Sequence, residues 1–266
     1  MLLIVKFFGI LATVIILAGP LAAQRGGTYR APRAADGHAD ISGIWEAMNT
    51  ANWDLQDHPT EIGPYFQTGS IGAVPSGRGV VEAGEIPYKP DALAKRKENH
   101  ANRWKLDPEV KCYMPGIPRA TYMPYPFQIV QSAKVILMAY QYASTNRVIN
   151  MGTPVEASVD TWMGTANGKW QGDTLVIDNT GFNDMSWFDR AGDFHSDQLH
   201  VVERFTPIDA THLQYEATIE DPGTFTRAWK IAMPLYKHVE SNAQLAEFKC
   251  VEAAEELLYG DLRKKK

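Results

Sequence analysis

One stretch late in the chain concentrates side chains that could carry out acid–base chemistry. His195 could act as a proton carrier, because an imidazole titrates near neutral pH. Asp197 follows two residues later; on an extended segment both side chains would share a face, and the carboxylate could orient the ring. Asp189 or Glu203 could serve as the second carboxylate, and Arg190 could hold a carboxylate, a phosphate or a developing oxyanion.

Other interpretations of the same residues remain open. His195 and Asp197 could belong to a capped turn, while Glu203 and Arg204 pair along the strands. His195, Asp197 and His200 could instead bind a divalent metal ion, since imidazole and carboxylate suit zinc. However, His195 and His200 would fall on opposite faces of one regular strand, and there is no H-E-x-x-H motif. We therefore favour metal-free chemistry with His200 as a further candidate, and we expect no cofactor.

A long connection between two predicted strands must position these groups. Residues 174–178 form a β-branched run, and residues 199–205 alternate between two faces. One face of the second strand would carry Leu199, Val201, Glu203 and Phe205. The connection at 181–196 is longer than the roughly 12–15 residues common in compact domains. It contains four aromatic residues, so we expect an ordered loop that carries the site.

Aromatic and amide side chains are candidates for a ligand pocket. Trp187 and Asn183 lie in the long loop, and Trp162 and Tyr125 precede it. Most aromatic residues are expected in the core, because they dominate strand packing. A few could line an apolar pocket at a barrel mouth, where small-molecule sites usually lie. There is no G-x-S-x-G motif, so nucleophilic hydrolysis is not favoured.

The chain divides into a leader, an arm, one domain and a tail. Residues 1–23 form an apolar block with a single charge, Lys6, and end in small residues, which is typical of a secretory signal; an uncleaved anchor is the alternative. We predict a mobile arm at 24–40, a single β-rich domain at 41–252 and a C-terminal tail at 253–266. After signal cleavage we expect no stable membrane insertion.

The two cysteines indicate the compartment, and the net charge indicates which classes of partner are expected. In an exported protein, Cys112 and Cys250 predict one disulfide, although two buried thiols are the alternative. We expect a periplasmic or secreted protein. The net charge is −5 and there is no basic stripe, so nucleic acid is not expected as a partner. A small molecule is the expected ligand or substrate, and the oligomeric state stays open.

The remaining pattern predicts strands joined by short turns. Further predicted strands cover residues 127–131, 135–142, 147–151, 212–219, 225–233 and 246–252. Strands at this spacing indicate an antiparallel sheet that closes into a barrel or a sandwich. A helix is predicted at 90–104, and four prolines within 115–126 predict an extended wall rather than a helix. The tail contains a short helix-prone segment.

Two resemblances extend this interpretation. The sequence Gly43-Ile44-Trp45 resembles the Gly-x-Trp pattern at the first strand of lipocalins and other calycins. A second resemblance, to a group of exported bacterial proteins, rests on motifs at 112–119, 126–131, 170–178, 180–184, 187–190 and 195–205. The resemblances imply export and a single β-rich domain. Together with the residue pattern they lead us to expect a mostly β fold with a single antiparallel, calycin-like barrel, a long irregular N-terminal arm and one or two short helices. They imply no reaction.

Two functions follow as hypotheses. The first is an exported enzyme that acts on a small, partly apolar molecule by acid–base chemistry of the lyase, hydratase or isomerase type in a barrel pocket. The alternative is a non-catalytic periplasmic binding protein for a small hydrophobic ligand. A structural role in the envelope is a third possibility. Redox chemistry is less favoured, because the sequence contains no nucleotide or haem motif.

Overall fold

The computed structural model of this chain describes residues 29–263, and nine strands close into a barrel in sequence order. The strands are β1 (Gly43–Glu46), β2 (Phe127–Gln131), β3 (Val135–Tyr140), β4 (Asn146–Asn150), β5 (Thr165–Gln171), β6 (Thr174–Thr180), β7 (His200–Pro207), β8 (His212–Glu220) and β9 (Trp229–Lys237). The helices are α1 (Pro90–Leu106), α2 (Arg119–Tyr122) and α3 (Ala254–Tyr259), with 3-10 turns at Phe66–Gly72, Pro108–Lys111, Tyr142–Ser144 and Gly260–Leu262. The predicted signal segment and the first residues of the predicted arm lie outside the described residues.

The predicted mostly β barrel is confirmed. Its strand register shows where the barrel closes and where it departs from a purely antiparallel arrangement. β1 and β9 close the barrel as an antiparallel pair, with Trp45 opposite Lys237. β4 and β5 instead run parallel, through Ile149 opposite Ala166 and Asn150 opposite Asn167. A parallel pair needs a crossover rather than a tight turn, and the long connection at 151–164 supplies it.

Alternation of apolar residues fills the barrel. In β7, Val201, Glu203 and Phe205 are buried, as the alternation at 199–205 predicts. β8 and β9 follow the same period-two pattern over nine residues each. Their inward side chains form the core with those of β2, β3 and β6, which removes their apolar surface from water.

Two predictions about the flanking segments are wrong. Residues 246–252 form no strand, because β1 already pairs with the edge of β9. The segment lies outside the barrel, where Phe248 packs against Tyr125 and Tyr142. Residues 119–122 form the short helix α2 instead of an extended wall. Proline is excluded from helix interiors but not from the flanking positions, and Pro118 precedes the first turn.

Other predictions are confirmed. α1 begins at Pro90 and lies on the surface, and α3 forms in the tail. The disulfide joins Cys112 to Cys250, whose Cα atoms are 5.6 Å apart. Among residues 29–263, no helix has the length and apolar character needed to cross a membrane.

Candidate functional site

The long loop between β6 and β7 is held from both sides. Phe182, Trp187 and Phe188 are buried, which anchors the loop on the core. The backbone N–H of Arg190 donates to the carbonyl of Asn52 over 2.8 Å. The loop therefore contacts the segment between β1 and α1, residues 47–89, as well as the barrel core.

His195 is buried and fully bonded. Its Nδ1 lies 2.8 Å from the carbonyl oxygen of Ser196, so Nδ1 carries the proton and donates. Nε2 then accepts from the Ser186 hydroxyl, also at 2.8 Å. Burial lowers the pKa of His195, which favours the neutral ring. Gly116 closes over this pair, because a Cβ there would lie 2.3 Å from Ser186 Oγ.

The structure does not bring Asp197 to His195. Both ring nitrogens have other partners, and Asp197 is exposed. Residues 196–198 turn instead of continuing as a strand, because Asp221 accepts both the N–H and the hydroxyl of Ser196 over 2.6 Å. This geometry matches the capped-turn alternative. His200 lies on the outer face of β7 and within 3.4 Å of Glu220, so His195, Asp197 and His200, the metal-binding alternative, are not brought together.

Glu203 lies inside the barrel in a buried ion pair. Its Oε2 accepts from Arg147 Nη1 at 2.6 Å and from Asn179 Nδ2 at 3.0 Å. Its Oε1 accepts from the Tyr215 hydroxyl at 2.8 Å. Every carboxylate oxygen therefore has a partner, and the pair forms one neutral polar group in an apolar core.

Asp189 belongs to a buried cluster of carboxylates. One ligand-type oxygen from each of Asp54, Asp189 and Asp193 lies within 4.8 Å of the others, the one such group within the described residues. Arg96 contacts two of them, with Nε 3.2 Å from Asp193 and Nη2 3.4 Å from Asp54. Tyr88 donates to Asp193 over 2.7 Å. Three carboxylates could hold a divalent cation, but the Arg96 guanidinium already supplies one positive charge there.

Burial and crowding raise the pKa of these acids. Burial, with the charges of Asp193 and Asp54, raises the pKa of Asp189 well above its ordinary range. Burial and the neighbouring Asp193 raise the pKa of Asp54 to about 6. Asp54 is partly accessible, with 15% of its side chain exposed. A carboxyl group poised near neutral pH can donate or accept a proton in catalysis.

Arg190 is paired with a carboxylate of this chain. Its Nε and Nη2 donate to Glu109 over 2.8 and 2.7 Å, and its guanidinium stacks on Trp53 at 4.3 Å from the ring centroid. Arg119 donates to Glu109 over 2.7 Å and forms two bonds with Asp107. Although burial opposes ionisation, these two guanidinium groups lower the pKa of Glu109 to about 2. The predicted anion clamp is therefore already neutralised.

Two cavities meet beside Arg190. Their volumes are about 270 and 570 Å³, and both are lined by Tyr65, Trp104, Arg190 and Glu255. We name this space the aromatic cleft. Its aromatic walls include Trp53, Tyr65, Trp104, Tyr125, Tyr142 and Phe248. The cleft lies outside the barrel. It is bordered by the segment between β1 and α1, by the end of α1 and by the C-terminal segment that the disulfide at Cys250 holds in place.

The predicted ligand residues fall in different places. Tyr125 lines the aromatic cleft, whereas Trp162 lines a separate cavity beside β4 and β5. Trp187 is buried, and its backbone bridges to Phe194 across the loop. The side chain of Asn183 accepts a backbone N–H within a local turn. The structure therefore brings Tyr125, but not these other three residues, to the cleft beside Arg190.

Sequence reasoning missed several residues that build the site. These are Trp53, Asp54, Tyr65, Trp104, Glu109, Arg119 and Arg147. Trp53, Asp54 and Tyr65 lie in the segment 47–89, which shows no periodicity, so no local pattern singled them out. Glu109 and Arg119 flank Cys112 in the sequence. Their proximity to the predicted disulfide is the sequence feature that could have indicated them as site residues. Comparison of the chain with family models, with curated proteins and with solved structures finds no match in any of the three.

Proposed function

We propose that this protein binds a small, uncharged, aromatic molecule in the aromatic cleft. The observation that supports this is the meeting of two cavities at Tyr65, Trp104, Arg190 and Glu255. Their volumes fall in or near the range of about 300–1,000 Å³ that is usual for small-molecule sites. Aromatic walls favour a flat ring, which can stack against them.

The charges around the cleft favour an uncharged ligand. Arg190, the cation on its floor, is bonded to Glu109 by two hydrogen bonds. Glu255 and Glu256 add acidic groups to the lining, and Lys249, which also lines it, lies 3.8 Å from the carboxylate of Glu247. An anionic ligand would meet these carboxylates without an unpaired guanidinium to compensate, so its desolvation would be costly. The alternative of a binding protein for a hydrophobic ligand fits this arrangement.

Export and a calycin-like role are part of the proposal. The apolar block at 1–23 is typical of a secretory signal. The disulfide between Cys112 and Cys250 is consistent with an oxidising compartment, where such bonds persist. The Gly43-Ile44-Trp45 motif lies in the first barrel strand, as in the calycin pattern. A periplasmic or secreted carrier or enzyme for small molecules would combine these features.

Binding of N-phenyl-1-naphthylamine, a neutral fluorescent aromatic probe, tests the proposal. We expect saturable binding with a stoichiometry near one, and we expect Trp104→Ala to weaken it at least about tenfold by removing a wall of the cleft. Trp170→Ala is the matched control, because Trp170 stacks on His38 outside the cleft. Non-saturable binding, or equal loss in both variants, would show that the cleft is not the site.

Acid–base catalysis is the second candidate, and Asp54 favours it. Its pKa is raised to about 6, and Asp54 lines a small cavity together with Trp53 and Arg190. Asp54, rather than the buried His195, could therefore reach a molecule bound at the inner end of the cleft. A lyase, hydratase or isomerase would lose turnover in Asp54→Asn while retaining the naphthylamine probe. If no compound from a screen of small aromatic substrates is turned over, binding without catalysis is favoured.

A further inference from the structure

Large apolar side chains are exposed around the mouth of the aromatic cleft. Ile71 lines the cleft and is 95% exposed, so it lies where the cleft opens to solvent. Ile62, which is 78% exposed, is a close neighbour of Ile71, because Gly63 packs directly against the carbonyl oxygen of Gly72. One side of the mouth therefore presents isoleucine side chains to water.

The other side of the mouth is formed by α3. Tyr259 lines the cleft and is exposed, and Leu257 and Leu258, which precede it, are each 72% exposed. The rings of Tyr259 and Tyr65 lie 5.7 Å apart, which places α3 beside the turn at Phe66–Gly72. We name the following residues the apolar rim: Ile62, Ile71, Leu257, Leu258 and Tyr259.

The position of the apolar rim indicates what covers it. Exposed apolar groups that cluster around a groove mark a surface for contact with another molecule or with a membrane. The ligand proposed for the cleft is a small aromatic molecule, which dissolves better among lipid chains than in water. A protein seated on the rim would close the opening, whereas a bilayer would present the ligand to it. The rim therefore favours a lipid surface.

The charges beside the rim indicate the type of lipid. Arg263 stacks on Tyr65, a wall of the cleft, and pairs with Glu256. In the sequence, three lysines follow Arg263 directly, at 264–266. A run of basic residues next to an apolar surface is attracted to anionic headgroups.

Acidic residues of the same segment equal these four cations in number: Glu252, Glu255, Glu256 and Asp261. They are spread over ten residues, whereas the four bases are consecutive. Glu255 and Glu256 line the cleft, and Glu256 is already paired with Arg263. The lysines therefore supply the local positive charge, while the apolar rim supplies most of the contact.

We propose that the apolar rim docks on the surface of an anionic lipid bilayer, so that the aromatic cleft exchanges its ligand directly with the membrane. The contact is peripheral, with the rim side chains at the boundary between headgroups and acyl chains. The exchange rests on the proposed ligand binding in the cleft, whereas docking of the rim can be measured without any ligand.

Vesicle flotation tests the docking. The protein used is the chain from Gln24 onward, the form that signal cleavage would leave, because all nine strands and three helices lie within it. We expect it to float with vesicles of equal parts phosphatidylglycerol and phosphatidylcholine, and to bind phosphatidylcholine vesicles at least about tenfold less tightly. Equal affinity for the two kinds of vesicle, or no flotation with either, would overturn the proposal; the second result would favour a protein partner.

Substitutions show whether the rim is the docking surface. We expect Leu257→Ser combined with Leu258→Ser to weaken binding to the anionic vesicles at least about tenfold, and Ile71→Ser alone to weaken it about threefold. Val159→Ser is the matched control, because Val159 is 67% exposed but lies in the crossover between β4 and β5. Unchanged binding in the rim variants, or an equal loss in the control, would overturn the proposal. Ile71→Ser alone decides the matter if the double variant does not fold.

Two further measurements separate the lysines from the rim and the docking from the ligand. Replacing the lysines at 264–266 by serine should abolish the preference for anionic vesicles, and a preference that survives would overturn the anionic surface as the partner. Without vesicles, the double leucine variant should bind N-phenyl-1-naphthylamine like the native protein, since neither leucine lines the cleft. A native protein that binds the probe but does not float would refute the docking alone. One that floats but binds no probe would refute the proposed ligand binding and retain the docking.

Discussion

The carboxyl groups of Asp189 and Asp193 lie beside one another in the protein interior, where both side chains are fully buried. The main chain holds them there, because Asp193 N–H donates to Asp189 Oδ1 over 3.1 Å and Leu55 N–H donates to Oδ2 over 2.9 Å. Asp54 adds a third carboxylate. Burial and like charge therefore raise the pKa of Asp189, and protonation relieves the repulsion.

This cluster predicts that the native state loses stability as the pH rises from about 4 to 6. The pKa of Asp54 is raised from 3.8 to about 6 in the folded chain. Between these values the folded state keeps a proton that the unfolded state has released, so the free energy of unfolding falls as pH increases. We expect Asp54→Asn to remove this contribution and to raise the free energy of unfolding at pH 7.5 by up to about 3 kcal/mol. Urea denaturation at pH 4 and 7.5 measures it.

Asp184→Asn is the control for this prediction. Asp184 lies in the same loop as Asp189 and Asp193 but is exposed, so the variant is expected to keep the pH dependence of the native protein. If Asp54→Asn and Asp184→Asn show the same dependence, Asp54 is not its source. Asp54→Asn also separates a structural from a catalytic role of Asp54. If the variant is more stable than the native protein but loses turnover, Asp54 serves catalysis at a cost in stability.

The fold was largely predictable because the barrel strands carry local patterns. Alternation in β7 placed Glu203 correctly between Val201 and Phe205, on the inward face. The parallel seam was not predictable, since the segment at 151–164 contains no pattern that distinguishes a crossover from a turn. Residues 246–252 have the composition of a strand, but a closed barrel offers them no edge. Tertiary context therefore decided the cases in which local propensity failed.

The candidate site was less predictable because its members are far apart in sequence. Arg190 was identified as an anion-binding group, yet its partner Glu109 lies 81 residues earlier. Similarly, Arg147 pairs with Glu203 across 56 residues. Residue type indicated which groups could do chemistry, but only the fold determines which charges are already neutralised. His195 and its partner Ser186 are only 9 residues apart, yet no local pattern indicates that they bond to each other.

The buried ion pair predicts a large asymmetry between single and double substitutions. Glu203→Gln leaves the Arg147 guanidinium buried without its carboxylate, so we expect a loss of about 3–5 kcal/mol in the free energy of unfolding. Arg147→Met combined with Glu203→Gln removes both charges and is expected to recover most of that loss. Chemical denaturation of the two variants measures both values. A single substitution that costs less than about 1 kcal/mol would mean that water already screens the pair.

The disulfide is expected to keep one wall of the aromatic cleft structurally ordered. Cys250 and Phe248 both line the cleft, and the bond to Cys112 holds their segment against the protein. Replacing both cysteines by serine is expected to cost about 2–5 kcal/mol. We also expect faster amide hydrogen exchange at 246–259 and weaker binding of N-phenyl-1-naphthylamine. Reduction of the native protein with dithiothreitol should reproduce the exchange pattern, and unchanged exchange would show that packing alone orders the wall.

His195 is expected to take up its proton at a lower pH than its ordinary pKa of 6.5. Burial lowers the pKa of His195 in the folded state. As the pH falls below 6.5, the unfolded chain therefore binds a proton that the folded ring does not bind, and the free energy of unfolding decreases. Nitrogen-15 NMR of labelled histidine should show the Nδ1–H tautomer at pH 8 and, on acidification, a titration midpoint below 6.5. A midpoint at or above 6.5 would contradict the prediction and would restore His195 as a proton carrier.

Ser186→Ala shows whether the hydrogen bond at Nε2 contributes to that neutrality. The Ser186 hydroxyl donates to the lone pair of the neutral ring at 2.8 Å, and the same hydroxyl can rotate to accept from Nε2–H of the charged ring. Without it both forms of the ring lose a partner while the ring stays buried, so the pKa of His195 should remain below its ordinary value. Stability at pH 8 should fall by about 1 kcal/mol. A pKa that rose to the ordinary value would assign the shift to the Ser186 hydroxyl instead of to burial between Phe182 and Phe188.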